Sequence, residues 1–273
     1  MLVIKTIAEL QNFLAEKKRA SKKIALTPTM GALHQGHLAL FKKSKEVADI
    51  SIASIFVNKT QFNDLNDFSK YPRHLEADLN LLKNLGVDCV FAPSDEEIFS
   101  ADFSFKILPT KFTDSLCGAT RPGHFDGVAL ILTKLFNIIK PDIAIFGEKD
   151  FQQLLIIKKL VSDLNFSVQI LGHEIVREKS GLAMSSRNQR LSEAARIKAA
   201  QIYKTLLEIK NDPQSLEKKA EELLKNGFEK IDYLEIRDEK NLNLVTNFPA
   251  RNPARIFIAV YQEGVRLIDN IAL

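Results

Sequence analysis

Between residues 49 and 57 the chain places Ile50, Ile52, Ala53, Ile55, Phe56 and Val57 almost without a polar break. A strand with one wet face alternates apolar and polar residues. So continuous a run suits a strand covered on both faces, which is the condition of a parallel sheet flanked by crossover helices. The flanking sequence supplies such crossovers. Runs at 24–26, 87–91, 142–146 and 167–171 read as further short strands. Between and around them, 5–20, 74–85, 125–139 and 151–164 read as helices, with Gly86 and Pro141 placed as stops. Residues 103–108 read as an edge strand. The alternation predicts an α/β fold with a doubly wound, Rossmann-like parallel sheet.

Past residue 190 the texture changes. Helical patterns at 192–211 and 215–226, separated by Asn211-Asp212-Pro213, precede strand patterns at 232–236, 255–261 and 266–270. Consecutive helices followed by consecutive strands predict a smaller C-terminal α+β domain. The expected division is 1–176 and 177–273, with the boundary near 175–180 and the second part acting as a lid hinged at 175–190. A formal charge of +4, dispersed along the chain, does not supply a nucleic-acid-binding surface. Cys89 and Cys117 form no C-x-x-C pair, which points away from a zinc site or a disulfide framework and toward a reducing cytosol. Cys89 lies in an apolar run and reads as a small buried hydrophobe. The charged N-terminal segment is not that of a signal peptide, and no apolar run nears the ~20 residues of a membrane span. A cytoplasmic protein is expected.

The stretch most suggestive of chemistry is Thr27-Pro28-Thr29-Met30-Gly31-Ala32-Leu33-His34-Gln35-Gly36-His37-Leu38. It follows the 24–26 strand, and a helix opens at about His37, with Leu38, Phe41, Lys45 and Ala48 along one side. The two histidines therefore stand at a strand's carboxyl end, where ligands bind in open parallel sheets. Glycines permit close backbone approach, and a helix N-terminus suits phosphate. Two imidazoles there donate hydrogen bonds and gain positive charge cheaply as charge builds on the oxygens. Read alone, the stretch is also a pair of polar residues closing a loop.

Further candidates follow. Gly147-Glu148-Lys149-Asp150 stands at a second strand-to-helix turn, with Lys149 carrying a compact charge for phosphate. Gln152 and Gln153 come directly after. Met184-Ser185-Ser186-Arg187 offers two hydroxyls and a guanidinium. Asn58 and Gln61 are uncharged bidentate hydrogen-bonders suited to a small hydroxy acid. Arg121-Pro122-Gly123-His124-Phe125 adds a guanidinium and an imidazole. His173 reads as structural.

Together these strings resemble the HIGH-type nucleotidyltransferase superfamily and, within it, the pantothenate synthetase family. The resemblance runs from about Thr27 to Asn188, with an echo in Arg266-Leu267-Ile268-Asp269-Asn270. It implies an ATP-dependent ligase that condenses pantoate with β-alanine through a pantoyl adenylate, releasing pyrophosphate and then AMP. It implies ATP contacts from Met30, Gly31, Ala32, Leu33, His34, Gln35, Gly36, His37, Gly147, Glu148, Lys149 and Asp150. Val176 would touch adenine or ribose, and Met184, Ser185, Ser186 and Arg187 would close on the triphosphate as a KMSKS-type loop. His37, His34 and Lys149 would be catalytic. Gln61 would contact pantoate and β-alanine, with Asn58 close by, and Gln153 would bind pantoate. Mg²⁺ would bridge phosphate oxygens, its protein ligands not identified by the sequence, and a homodimer is the family habit. One departure is Lys59, where the family pattern has proline; loss of a fixed φ is expected to loosen the Gln61 loop.

Two alternatives stand beside this reading. Another nucleotidylyltransferase of the superfamily would adenylylate a phosphate ester, for which neutral Gln61 and Gln153 are poor partners. A catalytically silent nucleotide-binding protein would not need the second-substrate groups.

Overall fold

The computed structural model describes residues 1–273, the side chain of Leu65 excepted. The chain divides into two compact units. The first comprises Met1–Lys111, Arg121–Glu148 and Gln153–Glu174, and the second Phe112–Thr120, Lys149–Gln152 and Ile175–Leu273.

The first unit is built on six strands: β1 (Leu2–Ile4), β2 (Ile24–Thr29), β3 (Ile50–Ile55), β4 (Cys89–Phe91), β5 (Ile143–Gly147) and β6 (Gln169–His173). They lie in the order β1-β4-β3-β2-β5-β6, and every ladder is parallel. Along the chain up to β6 the helices are α1 (Ile7–Arg19), α2 (Gln35–Val47), α3 (Leu65–Ser69), α4 (Leu75–Leu85), α5 (Asp95–Ile98), α6 (Leu116–Thr120), α7 (His124–Ile139) and α8 (Phe151–Asp163), of which α6 and the start of α8 belong to the second unit. Strand burial follows the expectation: Ile24, Ala25, Leu26, Ile52 and Ala53 are fully buried. Thr6 caps α1 in a capping box with Glu9, and Gly86 ends α4 in the left-handed conformation that glycine accepts without strain. Cys89 is fully buried, and burial pushes its thiol pKa up to about 12, so it is an inert core residue.

The chain runs from β2 outward through β3 and β4, then returns to start β5 on the other side of β2. This reversal makes the carboxyl ends of β2 and β5 a topological switch point, the usual ligand crevice of such sheets. Local pairing opens it: β2 follows β3 through Thr29 but pairs with β5 only at Ala25 and Leu26. Pro28, which has no N–H to donate, therefore sits where one flank has already parted.

The expected edge strand at 103–108 does not form. Those residues join no ladder, and Phe105 and Leu108 are 78% and 61% exposed. The sheet ends at β1 on one side and at β6 on the other. The aromatic surface of Phe103 instead meets the Phe99 ring at 5.2 Å, beneath the Lys134 ammonium at 4.5 Å. The edge strand β1 went unread because only Ile4 of its three residues is buried.

In the second unit, α9 (Glu193–Ala199), α10 (Gln201–Asn211) and α11 (Leu216–Lys225) pack on an antiparallel sheet of β7 (Lys230–Asp238), β8 (Ala254–Gln262) and β9 (Val265–Ala272). The single helix expected over 192–211 is thus two, parted at Ala200. The core lies between layers, with Ile202, Leu206 and Ile209 of α10 against Ile256, Ile258 and Val260 of β8.

Candidate active site

The loop leaving β2 turns sharply through Gly31 (φ +77°) and Ala32 (φ +50°). A left-handed alanine costs of order 1 kcal/mol unless its surroundings hold it. The holder is Asp78, only 2% exposed in the first turn of α4, whose two carboxylate oxygens accept from the N–H groups of Ala32 (2.9 Å) and Leu33 (2.8 Å). A Cβ on Gly31 would stand 3.0 Å from that carboxylate. Sequence reasoning missed Asp78. An acid in a helix's first turn is common, and here its partners lie far back in the chain.

Helix α2 begins at Gln35 rather than at His37, with His34 as its N-cap. The His34 Nδ1 accepts from the Gly36 N–H (3.1 Å), and the His37 Nδ1 accepts from the His34 N–H (3.4 Å). The ring centroids are 4.1 Å apart. Since each Nδ1 accepts a hydrogen bond, a neutral ring carries its proton on Nε2 and acts there as a donor. Protonating Nδ1 would give up a capping bond and add a cation at the positive end of the helix. In the neutral tautomer each ring presents its N–H at Nε2. A cavity of about 260 Å³ opens beside this loop, lined by Met30, Gly31, Val57, Arg73 and Asp78 among others.

The turn carrying Gln61 is assembled from four sides. Asn58, 1% exposed, donates through Nδ2 to the Gln61 Oε1 (3.0 Å) and the Gly127 carbonyl (3.0 Å), while its Oδ1 accepts from the Thr60 hydroxyl (2.8 Å). The Gln61 carbonyl accepts from Nδ1 of His124 (2.7 Å) and Nη2 of Arg121 (3.4 Å), and Arg121 also reaches Nε2 of His124 (3.0 Å). Helix α7 lies so close that a Cβ on Gly127 would fall 2.4 Å from Thr60 backbone atoms. Both Asn58 donors are taken inside the protein, one of them by the Gln61 carboxamide, which Asn58 thereby orients. With Lys59 where the family pattern has proline, the turn is a short 3₁₀ segment from Lys59 to Gln61.

At the end of β5, Gly147 has nothing within 4 Å of where a Cβ would stand, so its own chain does not demand glycine there. Glu148, Lys149 and Asp150 form a 3₁₀ turn, with Lys149 half-buried and Asp150 exposed. Gln152 is 5% exposed and wholly engaged: it donates to the carbonyls of Phe112 (2.7 Å) and Ser115 (2.8 Å) and accepts from the Cys117 N–H (2.9 Å). Gln153 is half-buried.

In the second unit, Val176 opens a hairpin whose strands meet at Arg177 and Ala183, with Met184 donating back to the Val176 carbonyl (3.0 Å). Gly181 (φ +92°) makes its bend. Ser185 caps a 3₁₀ segment (Ser186–Arg190) by accepting from the Arg187 N–H (3.2 Å). Ser186 is buried and Arg187 half-buried. Buried Asn188 ties this segment to Glu178 and to the Ala183 carbonyl. His173, half-buried, is bonded through Nδ1 to the Glu174 carbonyl (2.9 Å). Among the described residues, no group of three or more His, Cys, Asp or Glu is placed to hold a metal, and no helix is long and apolar enough to cross a membrane.

Known proteins share both this sequence and this fold. The pantothenate synthetase of Carboxydothermus hydrogenoformans is 48% identical over 98% of this chain and 97% of its own. The crystal structure of pantothenate synthetase from Thermus thermophilus superposes with a TM-score of 0.92 at 39% identity, covering 99% of both chains. A pantoate-β-alanine ligase from Francisella tularensis, complexed with β,γ-ATP and β-alanine, gives a TM-score of 0.87 at 37% identity over 99% of this chain and 97% of that one. A family profile described as pantoate-beta-alanine ligase matches residues 2–272, and the chain belongs to that family.

Proposed function

We propose that this chain condenses pantoate with β-alanine in two steps driven by ATP. The pantoate carboxylate attacks the α-phosphorus, the bond to pyrophosphate breaks, and pantoyl adenylate forms. The β-alanine amine then attacks the acyl carbon, loses its proton and expels AMP. In-line displacement at phosphorus needs positioning and charge neutralisation more than covalent help. The observation that carries the reading is the pair of imidazoles at the α2 N-terminus, both fixed through Nδ1, which makes Nε2 the proton-bearing nitrogen of each neutral ring.

In this reading the backbone from Met30 to His37 cradles ATP, with His34 and His37 donating to phosphate oxygens. Gly147, Glu148, Lys149 and Asp150 also serve ATP, Lys149 neutralising phosphate charge. Val176 serves the nucleoside, and Met184, Ser185, Ser186 and Arg187 serve the triphosphate. Gln61 and Gln153 recognise pantoate, with Asn58 orienting the first. Mg²⁺, if it accompanies ATP, would supply further neutralisation of phosphate charge. The reading also carries a cytosolic homodimer, which sedimentation of the purified protein checks.

Exchange of labelled pyrophosphate into ATP is expected only with pantoate present, and AMP release only when β-alanine is added. Exchange in the absence of pantoate, or supported by a phosphate-ester acceptor instead, overturns the scheme in favour of a nucleotidylyltransferase.

A further inference from the structure

Strand β9 contains Arg266-Leu267-Ile268-Asp269-Asn270, a string the proposed chemistry leaves without a task. Asp269 and Asn270 are 3% and 2% exposed, and successive strand residues face opposite sides of a sheet. Each grips a different element of the same unit.

The Asn270 carboxamide is oriented from both ends. Its Oδ1 accepts from Nη1 of Arg255 (2.6 Å), and its Nδ2 donates to the main-chain carbonyl of Lys149 (2.9 Å). Arg255 is in turn held by the Glu239 carboxylate (2.9 Å) and lies over the Phe151 ring at 4.0 Å. Phe151 also meets Phe257, the residue opposite Asn270 in the β8–β9 ladder, at 6.0 Å between ring centroids. A guanidinium on one end of the amide leaves only a donor for the other, so Asn270 suits the Lys149 carbonyl and no acid of the same shape would.

On the opposite face, Asp269 takes both Nη atoms of Arg177, at 2.6 and 3.0 Å. Burial pushes its carboxyl pKa above the ordinary aspartate value, against the pull of Arg177 and of the Lys149 charge. Arg177 also donates to the Gly181 carbonyl (3.0 Å) and stacks on the Tyr203 ring at 3.7 Å. It thereby anchors the hairpin that begins at Val176 and leads into Met184–Arg187.

We propose that Asn270 is a positioning residue for adenylylation: it fixes the main chain of Lys149, while Asp269, one residue away and acting through Arg177, fixes the Val176–Met184 hairpin. The strand thus sets the spacing between the two elements. The inference rests on the reading that Lys149 and Met184–Arg187 handle the triphosphate.

Asn270→Asp keeps the acceptor for Arg255 and turns the donor facing Lys149 into an oxygen. Pantoate-dependent pyrophosphate exchange by this variant is expected to fall tenfold or more in kcat, with KM for pantoate unchanged. In a Lys149→Ala background, which keeps the carbonyl but not the ammonium, adding Asn270→Asp is expected to change exchange less than twofold. Equal losses in both backgrounds, or undiminished exchange in Asn270→Asp while Lys149→Ala is impaired, overturn the positioning role. Undiminished exchange in Lys149→Ala alone overturns the reading of Lys149 itself. Asn270→Ser, whose hydroxyl falls short of the Lys149 carbonyl, runs the same cycle if the added charge beside Asp269 prevents folding.

Discussion

His37→Ala is expected to slow pantoate-dependent pyrophosphate exchange by roughly 30- to 1,000-fold, about 2–4 kcal/mol, the range for removing one preorganised donor from a developing oxyanion. The substitution removes two things at once. One is the Nε2–H proposed to face phosphate, and the other is the Nδ1 that accepts from the His34 N–H at 3.4 Å. His37→Gln separates them, because glutamine at the third helical position can itself reach back to the N-cap N–H. If the cap bond matters only to α2, the glutamine variant recovers the melting temperature while exchange stays low. Recovery of both would assign the histidine to the helix, and near-normal exchange in the alanine variant would remove it from the chemistry.

The parts of the molecule legible in the sequence were those whose physics is local. The 49–57 run suits a strand covered on both faces, and β3 is one over Ile50–Ile55, with Ser51, Ile52, Ala53 and Ser54 buried. The Thr27–Leu38 string carries its own glycines, its own cap and its own helix, so its place at the carboxyl end of β2 followed from neighbours a few residues away. What stayed hidden depends on partners distant in sequence. Phe103 to Leu108 has the composition of a strand, but a strand is made by a neighbour, and these residues join no ladder. Asn58 showed its donors without showing where they go, and they go to Gln61 and Gly127. Arg121 and His124 looked like ligand groups, yet both bond the Gln61 carbonyl. The division of Gly147-Glu148-Lys149-Asp150 between the two units was also beyond reach, because the motif reads as one continuous turn.

Asp78 is where that blindness matters most, and Asp78→Ala is expected to carry the largest stability cost of any single change near the proposed ATP loop. The carboxylate is buried, and so are its partners, since Ala32 is 2% and Leu33 7% exposed. Without Asp78 their two N–H groups lose their acceptors, and each orphaned buried donor costs about 1–3 kcal/mol. The expected loss of about 2–6 kcal/mol is a large share of the 5–15 kcal/mol that typically holds a folded domain. Asp78→Asn should fall between, because its carbonyl oxygen can serve one N–H while its amide nitrogen opposes the other. The order wild type, Asn, Ala should appear in urea midpoints at constant slope. It should appear again in ATP binding, because Gly31 and Ala32 would be free to leave their left-handed conformations. An Asp78→Ala protein that unfolds at the wild-type midpoint would mean that water or another group satisfies those N–H donors, and that the Met30–His37 loop holds its shape unaided.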